Sequence, residues 1–206
     1  MTNRHQPSQH AVNHEIPEQW EEQQFVDHWV NRDDGRQDQR RPMIEATVRS
    51  CGFPETQSIN VLDVGSGYGL LAKYVLDNFP NANVTLQDVS EPMFVHAKER
   101  LKEYEGKTTF IKSDFSKRDW SNALGGPFDM VVSAIAIHNM YDDNLIASIY
   151  KDIHDLISDG GVFANLDYAA QAGGVDTHVQ WLKDAGFKNV EAIPQNERIV
   201  ILRASR

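Results

Sequence analysis

The sequence has one cysteine, Cys51, in 206 residues, which excludes an intrachain disulfide and leaves nothing that demands an oxidising compartment. Long apolar runs are missing too. The longest, residues 130–137, is interrupted by Ser133 and falls far short of the roughly 20 residues a membrane-spanning helix needs. No hydrophobic leader opens the chain, so the expectation is a cytoplasmic protein with no membrane partner. Positive charge is scarce. Twenty Lys and Arg face 30 Asp and Glu, and the net charge of −10 disfavours loose binding to nucleic acid or anionic lipid. That balance does not by itself exclude a specific RNA or a basic protein as substrate. With 40% hydrophobic residues, the length suits one domain with a sizeable core.

What is present centres on Val61-Leu62-Asp63-Val64-Gly65-Ser66-Gly67-Tyr68-Gly69-Leu70. An apolar strand runs into closely spaced glycines and then into a helix. Such a turn lets backbone N–H groups approach a ligand without obstruction from Cβ. The dinucleotide fingerprint is G-x-G-x-x-G, but Gly65, Gly67 and Gly69 follow G-x-G-x-G. Asp63, two residues before the first glycine, would repel a diphosphate and attract a cationic or amino group. These residues resemble motif I of the class I S-adenosylmethionine-dependent methyltransferases, loosely (D/E)-x-G-x-G-x-G. The resemblance implies that Asp63, Gly65, Ser66 and Gly67 contact S-adenosylmethionine as cofactor.

Downstream, the chain keeps a rhythm of about 25 residues from Asp63 to Asp88 to Asp114, that of successive βα units. Strands are expected at 60–64, 83–88, 108–113, 130–135 and 162–166, with helices at 69–79, 93–105 and 144–157. A last helix at 175–185, ended by Gly186, precedes strands at 189–193 and 198–203, close enough for a hairpin. This closure also resembles the family, over residues 59 to 204. The expected fold is α/β: a doubly wound, seven-stranded, mostly parallel sheet with the last strand antiparallel and helices on both faces.

Asp88, ending the second strand 23 residues after Gly65, suits the two hydroxyls of a ribose. The resemblance gives the adenine to Val89, with Met93 nearby, and to Asp114 and Phe115. A carboxylate at Asp114 fits chemically, because the adenine amine donates and carboxylates only accept; a capping role is the alternative. Ser133 and Ala134 are expected near the methionine portion. His138, just beyond, is the candidate catalytic base or substrate contact, since an imidazole titrates near neutrality; packing is the alternative. Tyr141, Asp167 and Tyr168 are candidates for the rim, and Asp129 reads as structural. Asp159 stands where the family has proline before Gly160-Gly161, a pair expected to terminate the preceding helix.

Residues 1–15 read as a disordered tail whose His5, His10 and His14 are not expected to hold a metal. Residues 16–58 read as a helical lid on the methyltransferase domain at 59–206. Trp20, Phe25, Trp29 and Val30 mark an amphipathic helix, residues 31–41 a loop, and Pro42 the start of a second helix to Ser50. Trp20 and Trp29, with His138 and Tyr168, are the substrate-side candidates, though core packing is the commoner role for any one such aromatic. The Asn/Asp-Pro-Pro-aromatic signature of many nucleic-acid amine methyltransferases is absent, Ala136-Ile137-His138-Asn139 standing there, and no thiol cluster occurs. The expected activity is methyl transfer to a small molecule. A noncatalytic cofactor-binding scaffold, an aminopropyltransferase and a nicotinamide-dependent oxidoreductase are the alternatives; the last wants different glycine spacing and no Asp63.

Overall fold

The computed structural model describes residues 18–168 and 173–206. The expected tail, with its three histidines, lies outside the described residues. A single 3-10 turn at Glu18–Glu21 leads into α1 (Gln23–Asp34) and α2 (Gln37–Ser50). Then come β1 (Asn60–Val64), α3 (Leu70–Asn78), β2 (Asn83–Asp88), α4 (Glu91–Arg100) and β3 (Thr108–Lys112). The second half holds β4 (Phe128–Ala134), α5 (Asp143–Leu156), β5 (Ile157–Asp167), α6 (Val175–Ala185), β6 (Lys188–Pro194) and β7 (Val200–Ser205).

The seven strands lie in the order β3-β2-β1-β4-β5-β7-β6. All run parallel except β7, which is antiparallel to both its neighbours. Strands buried on both faces must be apolar throughout, and Val61, Leu62, Met130, Val131 and Val132 are all fully buried. One hydrophobic cluster gathers α1 to α4 on one face. The other unites α5, α6 and the helix-free connection from β3 to β4, through Phe115, Trp120 and Leu124. The order reverses between β1 and β4, and the carboxyl ends of strands at such a switch point are where α/β sheets bind ligands.

Three local expectations need correction. Residues 31–41 are not a loop: α1 continues through Asp34 and α2 starts at Gln37, placing Pro42 inside a helix. The run lacks apolar periodicity because its helices are held by polar tertiary contacts. Asp33 takes the Tyr68 hydroxyl (2.7 Å) and Arg40 (2.5 Å), while Asp34 takes the Arg100 guanidinium at 2.7 and 2.9 Å. Pro42 is exposed and forgoes one intrahelical bond there. Gly160 and Gly161 do not end a helix, since α5 stops at Leu156 and both lie within β5. A Cβ on Gly161 would lie 2.5 Å from Ile157 Cγ2, so that glycine permits close packing, while Gly160 supplies a left-handed backbone (φ 78°). Finally, β7 starts at Val200 rather than 198, because Asn196 Oδ1 takes the amides of Arg198 and Ile199 (both 2.9 Å) and keeps them in the turn.

Candidate cofactor site

A cavity of about 340 Å³ opens where β1, β2 and β4 end. Its floor is the glycine turn. Gly65 takes a positive φ of 65°, and a Cβ there would come within 2.5 Å of the Ala136 Cβ. Gly67 (φ 51°) would meet nothing within 4 Å, so its missing side chain opens space rather than permitting packing. Three amides of the turn are stitched to the end of β2. Gly65 N donates to Gln87 Oε1 (3.0 Å), Ser66 N to the Gln87 carbonyl (2.9 Å) and Gly67 N to Asp88 Oδ2 (2.7 Å). Gln87, unforeseen from sequence, also donates to the Ser113 carbonyl at 2.6 Å, bracing the turn against β3.

Asp63 is buried and borders the cavity, yet no described donor meets either of its oxygens in bonding geometry. Burial pushes its pKa up to about 8; the nearby Ala72 amide pulls the other way and Asp88 adds a smaller push upward. An orphaned buried carboxylate is costly unless something cationic joins it. Asp88 is also raised, chiefly by burial, against the opposing pull of the Ser90, Gly67 and Val89 amides. Its Oδ1 accepts from Ser90 N at 2.9 Å, and each oxygen keeps a further lone pair for a ligand hydroxyl. Ser90 caps α4 by accepting from Met93 N (3.2 Å), and its own hydroxyl donates to the Trp20 carbonyl (2.5 Å). These two acceptors therefore fit a ligand with a cationic group at Asp63 and a diol at Asp88.

Of the residues expected here, Asp63, Gly65, Ser66, Gly67, Asp88, Val89, Met93, Phe115 and Ala134 share the cavity wall, as do Trp20 and Trp29. Asp114 lies outside this wall: its Oδ1 takes Ser116 N (2.8 Å) and Lys117 lies 3.8 Å from Oδ2, while each oxygen keeps a lone pair for a ligand, as at Asp88. Ser133 is buried below, its hydroxyl donating to the Val64 carbonyl at 2.8 Å. His138 and Tyr168 are also outside the wall. The imidazole turns inward, Nδ1 lying 2.5 Å from Asp167 Oδ1, with the Tyr168 ring edge-on at 5.2 Å. Asp129 accepts from Asn60 N (2.8 Å) at the opposite edge, a structural role.

Arg40, Tyr68, Asn139 and Met140 line the cavity without having been singled out, and Tyr141 does so at its mouth. Tyr68 occupies a variable position of the glycine motif, so its pattern carried no signal. Burial and then Asp33 push its pKa up, keeping the hydroxyl a donor. Trp29 packs edge-on against Tyr68 at 5.9 Å and against Trp20 at 5.4 Å, which brings the N-terminal helices over the glycine turn. Across the cavity, Ile135 and Tyr141 both hold positive φ (54° and 50°). Such conformations cost about 1–3 kcal/mol each and cluster at functional sites.

Among the described residues no helix is long and apolar enough to cross a membrane, and no group of three or more His, Cys, Asp or Glu could hold a metal ion. A family model described as a methyltransferase domain matches residues 62–163. A malonyl-[acyl-carrier protein] O-methyltransferase of Magnetococcus marinus is 28% identical over 120 residues, 58% of this chain and 42% of that protein. Its counterpart in Neorickettsia risticii is 36% identical over 86 residues, 42% of this chain and 31% of that one. The chain thus spans less than half the length of these curated relatives. The N-methyltransferase NodS of Bradyrhizobium japonicum, solved with S-adenosyl-L-homocysteine, superposes with a TM-score of 0.65 at 17% identity, over 82% of this chain and 86% of that one. With the glycine turn, the orphaned Asp63, the strand-ending Asp88 and a sheet whose seventh strand alone is reversed, the chain belongs to the class I, Rossmann-like S-adenosylmethionine-dependent methyltransferases.

Proposed function

We propose that the protein transfers the methyl group of S-adenosylmethionine to a small, partly apolar acceptor whose attacking atom is already nucleophilic, such as a carboxylate. One observation carries this reading: a single cavity joins Asp63, Gly67 and Asp88 to a wall of Trp20, Trp29, Met43, Ile44 and Met140. The cofactor supplies a methyl activated on a sulfonium. Asp63 would hold its amino group, Asp88 its ribose hydroxyls, and Val89, Met93 and Phe115 its adenine. The apolar wall excludes water and sets the approach of the acceptor, and such alignment is worth about 7–11 kcal/mol in favourable cases.

The ionisable groups of the wall support an acceptor that needs no proton removed. Asp63 and Asp88 belong to the cofactor side, Tyr68 is held protonated, and His138 faces away. Among the described wall residues Tyr141 is the one remaining group with an ionisable proton to exchange besides Arg40, and it is 73% exposed at the mouth. Arg40 is the one cation among the described wall residues; its Nη1 is taken by Asp33, and its remaining N–H donors suit an acidic acceptor. The curated relatives' names specify a malonyl group and O-methylation, which accords with a carboxylate oxygen.

Calorimetry should show S-adenosylmethionine binding and no comparable affinity for NAD. Release of S-adenosylhomocysteine is expected with malonyl-coenzyme A or simple carboxylates ahead of phenols and amines. Tight NAD binding without S-adenosylmethionine binding would sink the reading, and binding without any turnover would make the protein a cofactor-dependent scaffold. Asp88→Ala is expected to weaken S-adenosylmethionine by about 1–3 kcal/mol, through lost ribose hydrogen bonds and a freed Gly67 amide. An unchanged dissociation constant would place the ribose elsewhere.

A further inference from the structure

We propose that Asp167 and His138 are positioning residues for the methyl acceptor, clamping the turn 135–141 so that Asn139, Met140 and Tyr141 form the acceptor end of the cavity. This assignment rests on the methyltransferase reading above. It replaces general-base chemistry at His138 with a mechanical role.

The clamp is built from the end of β5. Asp167 is fully buried. Its Oδ2 accepts from His138 N at 3.0 Å, its Oδ1 lies 2.5 Å from His138 Nδ1, and Oδ1 also takes Tyr168 N at 2.9 Å. One carboxylate thus holds the His138 backbone by a hydrogen bond and lies against its ring at ion-pair distance, outside hydrogen-bonding geometry. The held segment is a 3-10 turn, Ile137–Met140, bracketed by the two positive-φ residues Ile135 and Tyr141. At its start Ile135 N donates to the Leu166 carbonyl (2.8 Å), a second tie to β5. A short turn strained at both ends persists only where its surroundings over-determine it, and these ties supply that constraint.

Alternation along the turn gives the clamp its consequence. Ile137 and His138 are buried toward the core, whereas Asn139 is exposed and lines the cavity with Met140 and Tyr141. The sheet order sets which end this is. β2, carrying Asp88, flanks β1 on one side, and β4, feeding the turn, flanks it on the other. The turn therefore sits opposite the ribose acid, at the end left for the acceptor. The Asn139 amide both donates and accepts, which suits a carboxylate or carbonyl of the acceptor. A misplacement of that wall by about an ångström is enough to lower turnover strongly.

The test uses the full chain, with S-adenosylhomocysteine affinity from calorimetry, unfolding midpoints, and initial rates on malonyl-coenzyme A and the simple carboxylates. Asp167→Asn is expected to raise KM for the acceptor about tenfold or more, with a smaller fall in kcat and an S-adenosylhomocysteine affinity within about twofold of wild type. Hydrogen exchange across residues 135–141 should accelerate in the same variant. Asn139→Ala, at an exposed position that does not threaten folding, is expected to reproduce the KM effect without the faster exchange. Unchanged KM in both variants of a protein whose wild type turns over would overturn this assignment alone. A wild type that binds S-adenosylhomocysteine but methylates no probe would overturn the activity reading, and this assignment with it.

Discussion

Asp63→Asn is expected to stabilise the cofactor-free protein while weakening its affinity for S-adenosylmethionine. The two effects have one cause, a carboxylate buried without a described hydrogen-bond partner. Its pKa rises from the ordinary 3.8 to about 8 on folding, mainly because burial penalises the charge. Between those values the unfolded chain has released the proton and the folded one retains it. Stability therefore falls as pH rises from about 4 to about 8, at up to about 1.4 kcal/mol per unit, and levels off above. Asparagine has no proton to lose, so the variant should lack that slope and gain a few kcal/mol near neutrality. With cofactor the sign reverses. The amino group draws Asp63 into its charged form, so binding releases a proton and tightens as pH rises toward about 8. Losing that charge-assisted pair should weaken binding by about 1.5–3 kcal/mol, about ten- to a hundredfold. Unfolding curves across pH, and calorimetry in buffers of different ionisation enthalpy, check both halves. A variant less stable than wild type at every pH would show that Asp63 has a partner within the fold.

Gly65→Val and Gly67→Ala should separate folding from cofactor binding within one turn. At Gly65 a side chain meets Ala136 Cβ at 2.5 Å and Phe115 Cε1 at 3.3 Å, on a backbone with φ 65°. A β-branched residue disfavours that conformation and pushes the strained 135–141 turn outward. The expected loss is about 2–4 kcal/mol of stability together with cofactor binding. At Gly67 a Cβ meets no protein atom within 4 Å, and only the left-handed backbone resists, at about 1 kcal/mol. That variant should fold nearly as well as wild type and bind S-adenosylmethionine poorly, because the added methyl points into space the cofactor needs. Unchanged S-adenosylmethionine affinity in Gly67→Ala would mean that the space beside Gly67 is not the cofactor's.

The pattern Val61 to Gly69 was legible because each of its signals is local. Strand burial shows as an apolar run, a turn as glycines, and ligand polarity as one acid at the strand's end. The rhythm to Asp88 worked for the same reason, since a βα unit repeats at nearly constant length. Asp114 illustrates the limit. An acid after a strand suits adenine or a turn amide equally well, and the Ser116 amide takes only one of its oxygens, so the local pattern serves both roles alike. His138 shows another. Its place after β4 was readable, but its direction depends on Asp167, 29 residues away at the end of the neighbouring strand. The helices across residues 31–41 escaped notice because Asp33 and Asp34 are held by Tyr68 and Arg100, and no periodicity records a partner 35 or 66 residues distant.

By itself, then, the sequence determined the alternation of strands and helices, the parallel sheet with a reversed final strand, and a glycine turn meant for a cationic nucleoside. These follow from short-range spacing, which the backbone geometry of strands, turns and βα units translates directly. Only the tertiary structure decided that Asp63 meets no hydrogen-bond partner among the described residues, that Arg40 and Tyr68 join the wall, and that His138 faces Asp167 rather than the cavity. Those outcomes depend on which side chains meet across the sheet and beneath the N-terminal helices, where burial and partner choice set charge and direction.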